Sequence, residues 1–161
     1  MTRRKTPAPA NPDALLLDPD KEDFTGGRPL TRKQVLEMIR KKESFEEADL
    51  RGCDLAGVAF DNANLARAKF AEANLARCSF KGATLVGASF FGANLKDASL
   101  EEANLEDADF DYANLDGVTF RGAKVRKAIF PLRRVPLKDI QESVRTGKRV
   151  QMEAMPLDED D

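Results

Sequence analysis

Large apolar residues recur every five residues from Phe45 to Phe130, at eighteen positions without an exception. We call these large residues the centres of the repeat. The side chain two residues before each centre is small. It is usually Ala, with Cys53, Val58, Cys78 and Val118 as variants and Glu43 as the one exception. Neither the 3.6-residue period of an α-helix nor the two-residue period of a strand would place such residues on one side of the chain. The pattern therefore predicts a repeat with its own geometry.

A chain that turns a corner after every fifth residue would bury the centre and the small residue together. Four corners close a square coil of 20 residues, and coils stacked about 4.8 Å apart pair their backbones as parallel strands do. Two features support this prediction. Seven glycines lie two residues after a centre, where a type II turn needs a positive φ. None of the eight prolines, which would remove backbone donors, lies between residues 45 and 130.

Counting in steps of 20 assigns the centres to four columns, in which Phe and Leu mostly alternate around the square. We expect aromatic rings to stack along two of the columns, where each good pair adds roughly 0.5–1.5 kcal/mol beyond area burial. The phenylalanine columns are Leu50, Phe70, Phe90, Phe110, Phe130 and Phe60, Phe80, Leu100, Phe120.

Several of the five-residue units share one motif. Residues 63–67 and 73–77 read ANLAR, residues 93–97 read ANLKD, and residues 103–107 read ANLED. These units resemble the A(D/N)LXX signature of pentapeptide repeat proteins. The resemblance implies a right-handed quadrilateral parallel β-helix, an all-β solenoid of about 4.5 coils over residues 44–130.

The segments outside the repeat predict end caps and tails. Thr31 and Gln34 form a capping-box pattern, which predicts a short helix over roughly 31–42 and a cap over 31–43. Residues 131–161 predict a second helix, beginning near Pro136 and ending at Gly147, followed by an acidic tail. This helix either covers its own last coil or pairs with another subunit. Residues 1–30 hold five prolines and are expected to be a disordered or loosely attached tail.

The composition excludes several classes of chemistry. The chain has no His, no Trp, one Tyr and two Cys, which removes His-based triads, His-ligated metals and four-thiolate zinc sites. The net charge of −2 predicts no direct contact with nucleic acid or with a membrane. No apolar run resembles a signal peptide or a membrane span. We therefore expect a cytoplasmic protein without cofactors that is not an enzyme.

Acidic side chains cluster along one stretch of the repeat. A functional interpretation would make them a metal or acid–base site, but outward positions on a filled rod favour a solvated charged surface. Cys53 and Cys78 occupy small inward positions, which favours buried packing over redox chemistry. The column Asp54, Asn74, Asn94, Asn114 predicts a polar ladder that supports the corners. The acidic candidates are Asp97, Glu101, Glu102, Glu106, Asp107, Asp109 and Asp116.

Eight of the ten phenylalanines are centres of the repeat, which leaves Phe24 and Phe91 as candidates for external contacts. Phe91 lies outside the core register, and Tyr112 is expected near it one coil later. The function that this favours is a non-enzymatic protein–protein binding or assembly module, acting on a protein partner or through self-association. The candidate partner surface comprises Phe91, Tyr112, Asp111, Ala71 and Val86.

Two alternatives remain at this point. The family resemblance implies binding to type II topoisomerases such as DNA gyrase, where an acidic rod resembles duplex DNA. Residues 45–130 carry 14 acids and 10 bases, a net charge of −4 (10 − 14), but the signs alternate along the corners. The second alternative is an adaptor that docks through its tails, in particular through Leu15–Leu17 or the acidic terminus Asp158–Asp161.

Overall fold

A computed structural model describes residues 28–154 of the chain. Most of the predicted N-terminal tail, including Leu15–Leu17 and Phe24, lies outside the described residues. The acidic terminus Asp158–Asp161 also lies outside them.

The repeat folds into stacked coils of 20 residues. Each β-bridge is parallel and joins residues that are 20 apart, from Asp49 with Lys69 to Asp109 with Ile129. Each strand is reduced to one bridging residue at the middle of a side, and a two-residue turn follows every fifth residue. The coil therefore has four sides, because five residues span one side and one corner.

Every corner of the repeat holds its second turn residue in the left-handed region. Gly92 has φ 66°, and non-glycine residues at equivalent corners have similar values, for example 59° at Asp97 and 57° at Glu102. The predicted positive φ two residues after each centre is thus confirmed. The N–H groups of these residues donate to the coil above, as Gly92 does to the Asp111 carbonyl at 3.0 Å. The ladder of hydrogen bonds therefore continues around the corners.

The centres fill the interior of the rod. Phe90 stacks on Phe70 at 5.0 Å and on Phe110 at 4.8 Å between ring centroids, with almost parallel planes. Phe80, from the opposite side of the coil, meets Phe90 edge-on at 5.9 Å and 84°. Stacked contacts along a column and edge-to-face contacts across the interior are both favourable arrangements for aromatic rings. The predicted aromatic columns are confirmed.

The predicted polar ladder is also present. The side-chain amide of Asn94 donates to Oδ1 of Asn74 at 3.3 Å, and Asn114 donates to Asn94 at the same distance. Each ladder oxygen also accepts a backbone N–H two residues further on, as Asn94 does from Lys96. The side chains link successive coils and hold the corner that follows them.

Helix α1, Arg32–Lys41, covers the first coil. The Thr31 side chain accepts from the Gln34 N–H, and the Gln34 side chain accepts from the Thr31 N–H, so the capping box forms. Val35 and Met38 are fully buried against the centres of the repeat. Arg32 donates to the carbonyls of Asp54 at 3.1 Å and Ala56 at 3.2 Å. The helix thus shields both apolar side chains and free carbonyls of the first coil.

Helix α2, Leu137–Thr146, covers the last coil of its own chain. Its Ser143 hydroxyl accepts from the Phe120 N–H at 3.0 Å, and its Val144 carbonyl accepts from the Gly122 N–H at 2.9 Å. Beyond the helix, Val150 exchanges hydrogen bonds with Gly117 and Val118. The last coil therefore finds backbone partners without another coil above it.

Candidate functional site

An exposed aromatic pair lies on one corner of the rod. Phe91 is 42% exposed and Tyr112 is 74% exposed. Their ring centroids are 5.2 Å apart, with the planes tilted by 59°. Phe91 is the first turn residue of its corner, and Tyr112 is the second turn residue of the same corner one coil later. Tyr112 was therefore correctly expected to lie near Phe91.

The apolar surface continues beyond the repeat. Leu132, which follows Tyr112 by 20 residues, is 55% exposed. We refer to Phe91, Tyr112 and Leu132 as the apolar corner. The five-residue pattern ends at Phe130 and so does not identify Leu132. Continuing the five-residue count past Phe130 would have placed Pro131 and Leu132 above Asp111 and Tyr112.

A groove opens at the upper end of the apolar corner, because the backbone ladder stops there. The N–H of Tyr112 donates to its neighbour's side chain, Oδ1 of Asp111, at 3.1 Å, whereas the N–H of Gly92 one coil below donates to the next coil. The resulting terminal groove has a volume of about 540 Å³. It is lined by Asp111, Tyr112, Ala113, Pro131, Leu132, Arg133 and Arg134.

The backbone of Tyr112 is unusual for its residue type. Its φ is 59°, in the left-handed region that costs a residue with a side chain about 1–2 kcal/mol. Polar or charged residues or glycine occupy this turn position at the other corners of the repeat. A tyrosine at such a position presents its ring to solvent on a rigid turn, which is a geometry suited to contact with another molecule.

Two arginines give one end of the terminal groove a positive charge. Arg134 donates through Nε to the carbonyl of Glu153 at 3.1 Å, and the Glu153 N–H donates to the Arg134 carbonyl at 2.8 Å. Arg133 is exposed and has no side-chain hydrogen bond or ion pair within residues 28–154. Counting only the described residues, the groove therefore combines apolar walls with one unpaired cation, that of Arg133.

The remaining residues of the predicted partner surface divide between two corners. Ala71 lies directly below Phe91, since the Glu72 N–H donates to the Phe91 carbonyl at 2.9 Å. Asp111 lies directly above Phe91, since the Gly92 N–H donates to the Asp111 carbonyl at 3.0 Å. Val86 lies apart from them: it is half-buried at the preceding corner, separated from Phe91 by the side that ends at Phe90. That Val86 shares a partner surface with Phe91 stays a prediction.

The predicted acidic residues are spread over several corners of the rod. Asp97, Glu102 and Asp107 lie at three successive corners of one coil, and Glu101 and Glu106 are the first turn residues of two of these corners. Asp116 lies above the Asp97 corner and accepts from the Met152 N–H at 3.2 Å, while Asp109 is at the middle of a side. They form a partial ring over three of the four corners instead of a patch on one side. Within residues 28–154, no group of three or more Cys, Asp or Glu is arranged to hold a metal ion.

In the part of the chain that the structure describes, one arginine makes all the ion pairs between coils. Arg67 contacts Glu46 at 2.6 Å and Glu47 at 3.0 Å, both one coil below. Asp49 is mostly buried and pairs with Arg51, whose hydrogen bond lowers the pKa of the Asp49 carboxyl. Among the described residues, the acids of the partial ring make no ion pairs.

Both cysteines occupy inward positions. Cys78 is buried and donates through Sγ to the Leu55 carbonyl at 2.9 Å. Burial raises the pKa of the Cys78 thiol to about 11 and also raises that of half-buried Cys53. Since the thiolate is the reactive form, neither residue is activated for redox chemistry. Their interpretation as packing residues is confirmed.

No helix in the described part of the chain has the length and apolar character needed to cross a membrane.

Comparison with known proteins gives a consistent result for the repeat. A family model described as a pentapeptide repeat region matches residues 53–130. None of the curated proteins compared with the chain matches it significantly.

The solved structures that resemble the chain include pentapeptide repeat proteins from plants and cyanobacteria. One, from the thylakoid lumen of Arabidopsis thaliana, is 36% identical, with a TM-score of 0.50. The match covers 67% of this chain and 64% of that protein, so the chain spans less than two thirds of its relative's length. Another, from Nostoc PCC 7120, is 26% identical with a TM-score of 0.64, over 73% of this chain and 97% of that one.

Proposed function

Because residues 53–130 belong to the pentapeptide repeat family of quadrilateral β-helices, we propose that the protein is a non-enzymatic protein-binding module that contacts its partner through the apolar corner. The observation that carries this proposal is the exposed contact between Phe91 and Tyr112, with ring centroids 5.2 Å apart.

The apolar corner has the properties of an interface centre. Aromatic residues are enriched in protein interfaces and among the residues that contribute most binding energy. The rings of Phe91 and Tyr112 come from successive coils and touch each other, and Leu132 lines the same groove as Tyr112. Because Phe91 projects from a turn that the backbone ladder holds in place, little conformational entropy is lost at this residue when a partner binds.

The interior of the rod supports a role outside catalysis. The centres of the repeat pack ring against ring and side chain against side chain, and nearly all of them are fully buried. The acidic residues are distributed around the circumference, and both thiols are protonated at neutral pH. The surface therefore offers contact area in place of clustered acid–base groups.

The charge distribution favours this proposal over the DNA-mimic alternative. Duplex DNA presents one negative charge per about 1.7 Å of axis, so a mimic needs acids that follow each other along the rod. Here Asp61, Lys81, Glu101 and Arg121 follow one another along a single corner, with alternating sign. A supercoiling assay with purified gyrase tests the alternative: inhibition at low stoichiometry would support it and contradict binding through the apolar corner alone. The adaptor alternative involves residues outside the described range and stays a prediction.

The experiment that tests the proposal compares two apolar-to-acid substitutions. Phe91→Glu introduces a charge into the apolar corner, and Leu36→Glu introduces the same charge on α1, where Leu36 is 45% exposed. Wild type and both variants are used to capture proteins from a lysate of the source organism, and their self-association is measured by light scattering. We expect Phe91→Glu to lose a partner or an oligomeric state that Leu36→Glu retains. Identical capture profiles and identical molar masses would contradict the proposal.

A further inference from the structure

The last described residues of the chain lie beside the terminal groove. Glu153 is joined to Arg134 by two hydrogen bonds, one in each direction. Arg134 itself lines the groove, together with Tyr112 and Leu132. Residues 155–161 therefore start from a fixed point at the edge of the groove.

The sequence of this terminal segment complements the groove. It reads MPLDEDD, with two apolar side chains, Met155 and Leu157, followed by four acids. The groove has apolar walls at Tyr112, Pro131 and Leu132, and positive charge at Arg133 and Arg134. The apolar part of the segment fits the apolar walls. The carboxylates that follow fit the guanidinium groups at one end of the groove, since arginine binds carboxylates through paired donors.

We propose that residues 155–161 dock in the terminal groove of their own chain and cover Tyr112. Seven residues reach at most about 23–25 Å, at roughly 3.3–3.6 Å per residue, which is enough to follow the groove from its edge. In an extended segment Met155 and Leu157 point to the same side, and Pro156 between them favours the extended form. The acids that follow then meet Arg133.

Docking of this kind regulates access to the apolar corner. The segment and a partner would compete for Tyr112 and Leu132, and the segment has the advantage of being attached to the groove's edge. This competition rests on the proposed function, whereas docking itself does not. Charge attraction contributes to docking, so salt is expected to weaken it.

Tyr112 provides a direct probe, because the chain has one Tyr and no Trp. Tyrosine fluorescence therefore reports on the groove alone, and its quenching by acrylamide measures how much of the ring is accessible. We expect a chain truncated after Ala154 to show a quenching constant about twofold higher than the full chain, because removing a docked segment exposes much of the ring. Thermal melts of both chains establish that the truncated chain is folded.

Two substitutions in the full chain provide a matched comparison that does not depend on truncation. Arg133→Glu reverses the charge of the groove and is expected to raise quenching to the level of the truncated chain. Arg126→Glu reverses an exposed arginine at another corner and is expected to leave quenching unchanged. Equal quenching in the full chain, the truncated chain and Arg133→Glu would overturn the proposal. Protection that disappears on dilution would also overturn it, because it would place the segment of a second copy in the groove.

The same variants separate this inference from the proposed function. If quenching rises on truncation but the truncated chain captures no partner, docking stands and the proposed function fails. If the truncated and full chains capture the same partner equally and show equal quenching, the proposed function stands and docking fails.

Discussion

The ring of Phe91 packs against the ring of Tyr112 at 5.2 Å, although 21 residues separate them along the chain. On the inner side of the same corner, Phe90 stacks on Phe110 at 4.8 Å. Both contacts exist because the chain returns to the same corner every 20 residues. One pair belongs to the buried core and the other is exposed, so adjacent phenylalanines at positions 90 and 91 have different roles.

This difference predicts a large loss of stability for one substitution and a small change for its neighbour. Phe90→Ala removes a fully buried ring from the middle of a stacked column and should lower the free energy of unfolding by about 3–5 kcal/mol. Phe91→Ala removes a half-exposed ring and should change it by about 1 kcal/mol or less. Urea unfolding followed by circular dichroism measures both values. Equal destabilisation by the two substitutions would contradict the assignment of Phe90 to the core.

The glycines at two corners predict unequal effects for a second pair of substitutions. Gly57 and Gly117 have φ of 76° and 77°, so alanine is strained at both. A Cβ at Gly57 would meet no atom within 4 Å, whereas one at Gly117 would clash with Oδ1 of Asp97 and lie 3.3 Å from the Asp97 Cα. Gly57→Ala should cost about 1 kcal/mol, and Gly117→Ala roughly 1–3 kcal/mol more through overpacking. Thermal melts of the two variants give the comparison, and a lower melting temperature for Gly57→Ala than for Gly117→Ala would refute it.

The five-residue pattern predicts much of this molecule because each unit builds its own side and corner. The stacking of Phe70, Phe90 and Phe110 follows from counting, and so does the proximity of Phe91 and Tyr112. The same count places Val86 at the corner that precedes Phe91. The terminal groove could not be predicted from the pattern. It depends on where the chain leaves the coil after Phe130, which is a tertiary event that no local period encodes.

Cys78 predicts how stability changes at alkaline pH. Burial raises the pKa of its thiol from an ordinary value of 9.0 to about 11, so above pH 9 the unfolded chain loses this proton before the folded chain does. The contribution of Cys78 to stability is therefore complete below pH 9 and is lost as the pH rises to 11, by roughly 2–3 kcal/mol. Cys78→Ala keeps a small inward residue and should show a shallower decline between pH 9 and 11 in urea unfolding. Parallel declines for wild type and Cys78→Ala would show that the thiol does not titrate in this way.

The central claim is that the apolar corner is the surface through which the protein binds its partner. Site-specific photo-crosslinking in cells tests it most directly, with a benzophenone amino acid in place of Phe91 and, as the matched control, in place of Leu36, which is exposed to a similar degree. We expect a discrete crosslinked species from position 91 that position 36 does not give. Crosslinks from position 36 alone, or the same species from both positions, would contradict it.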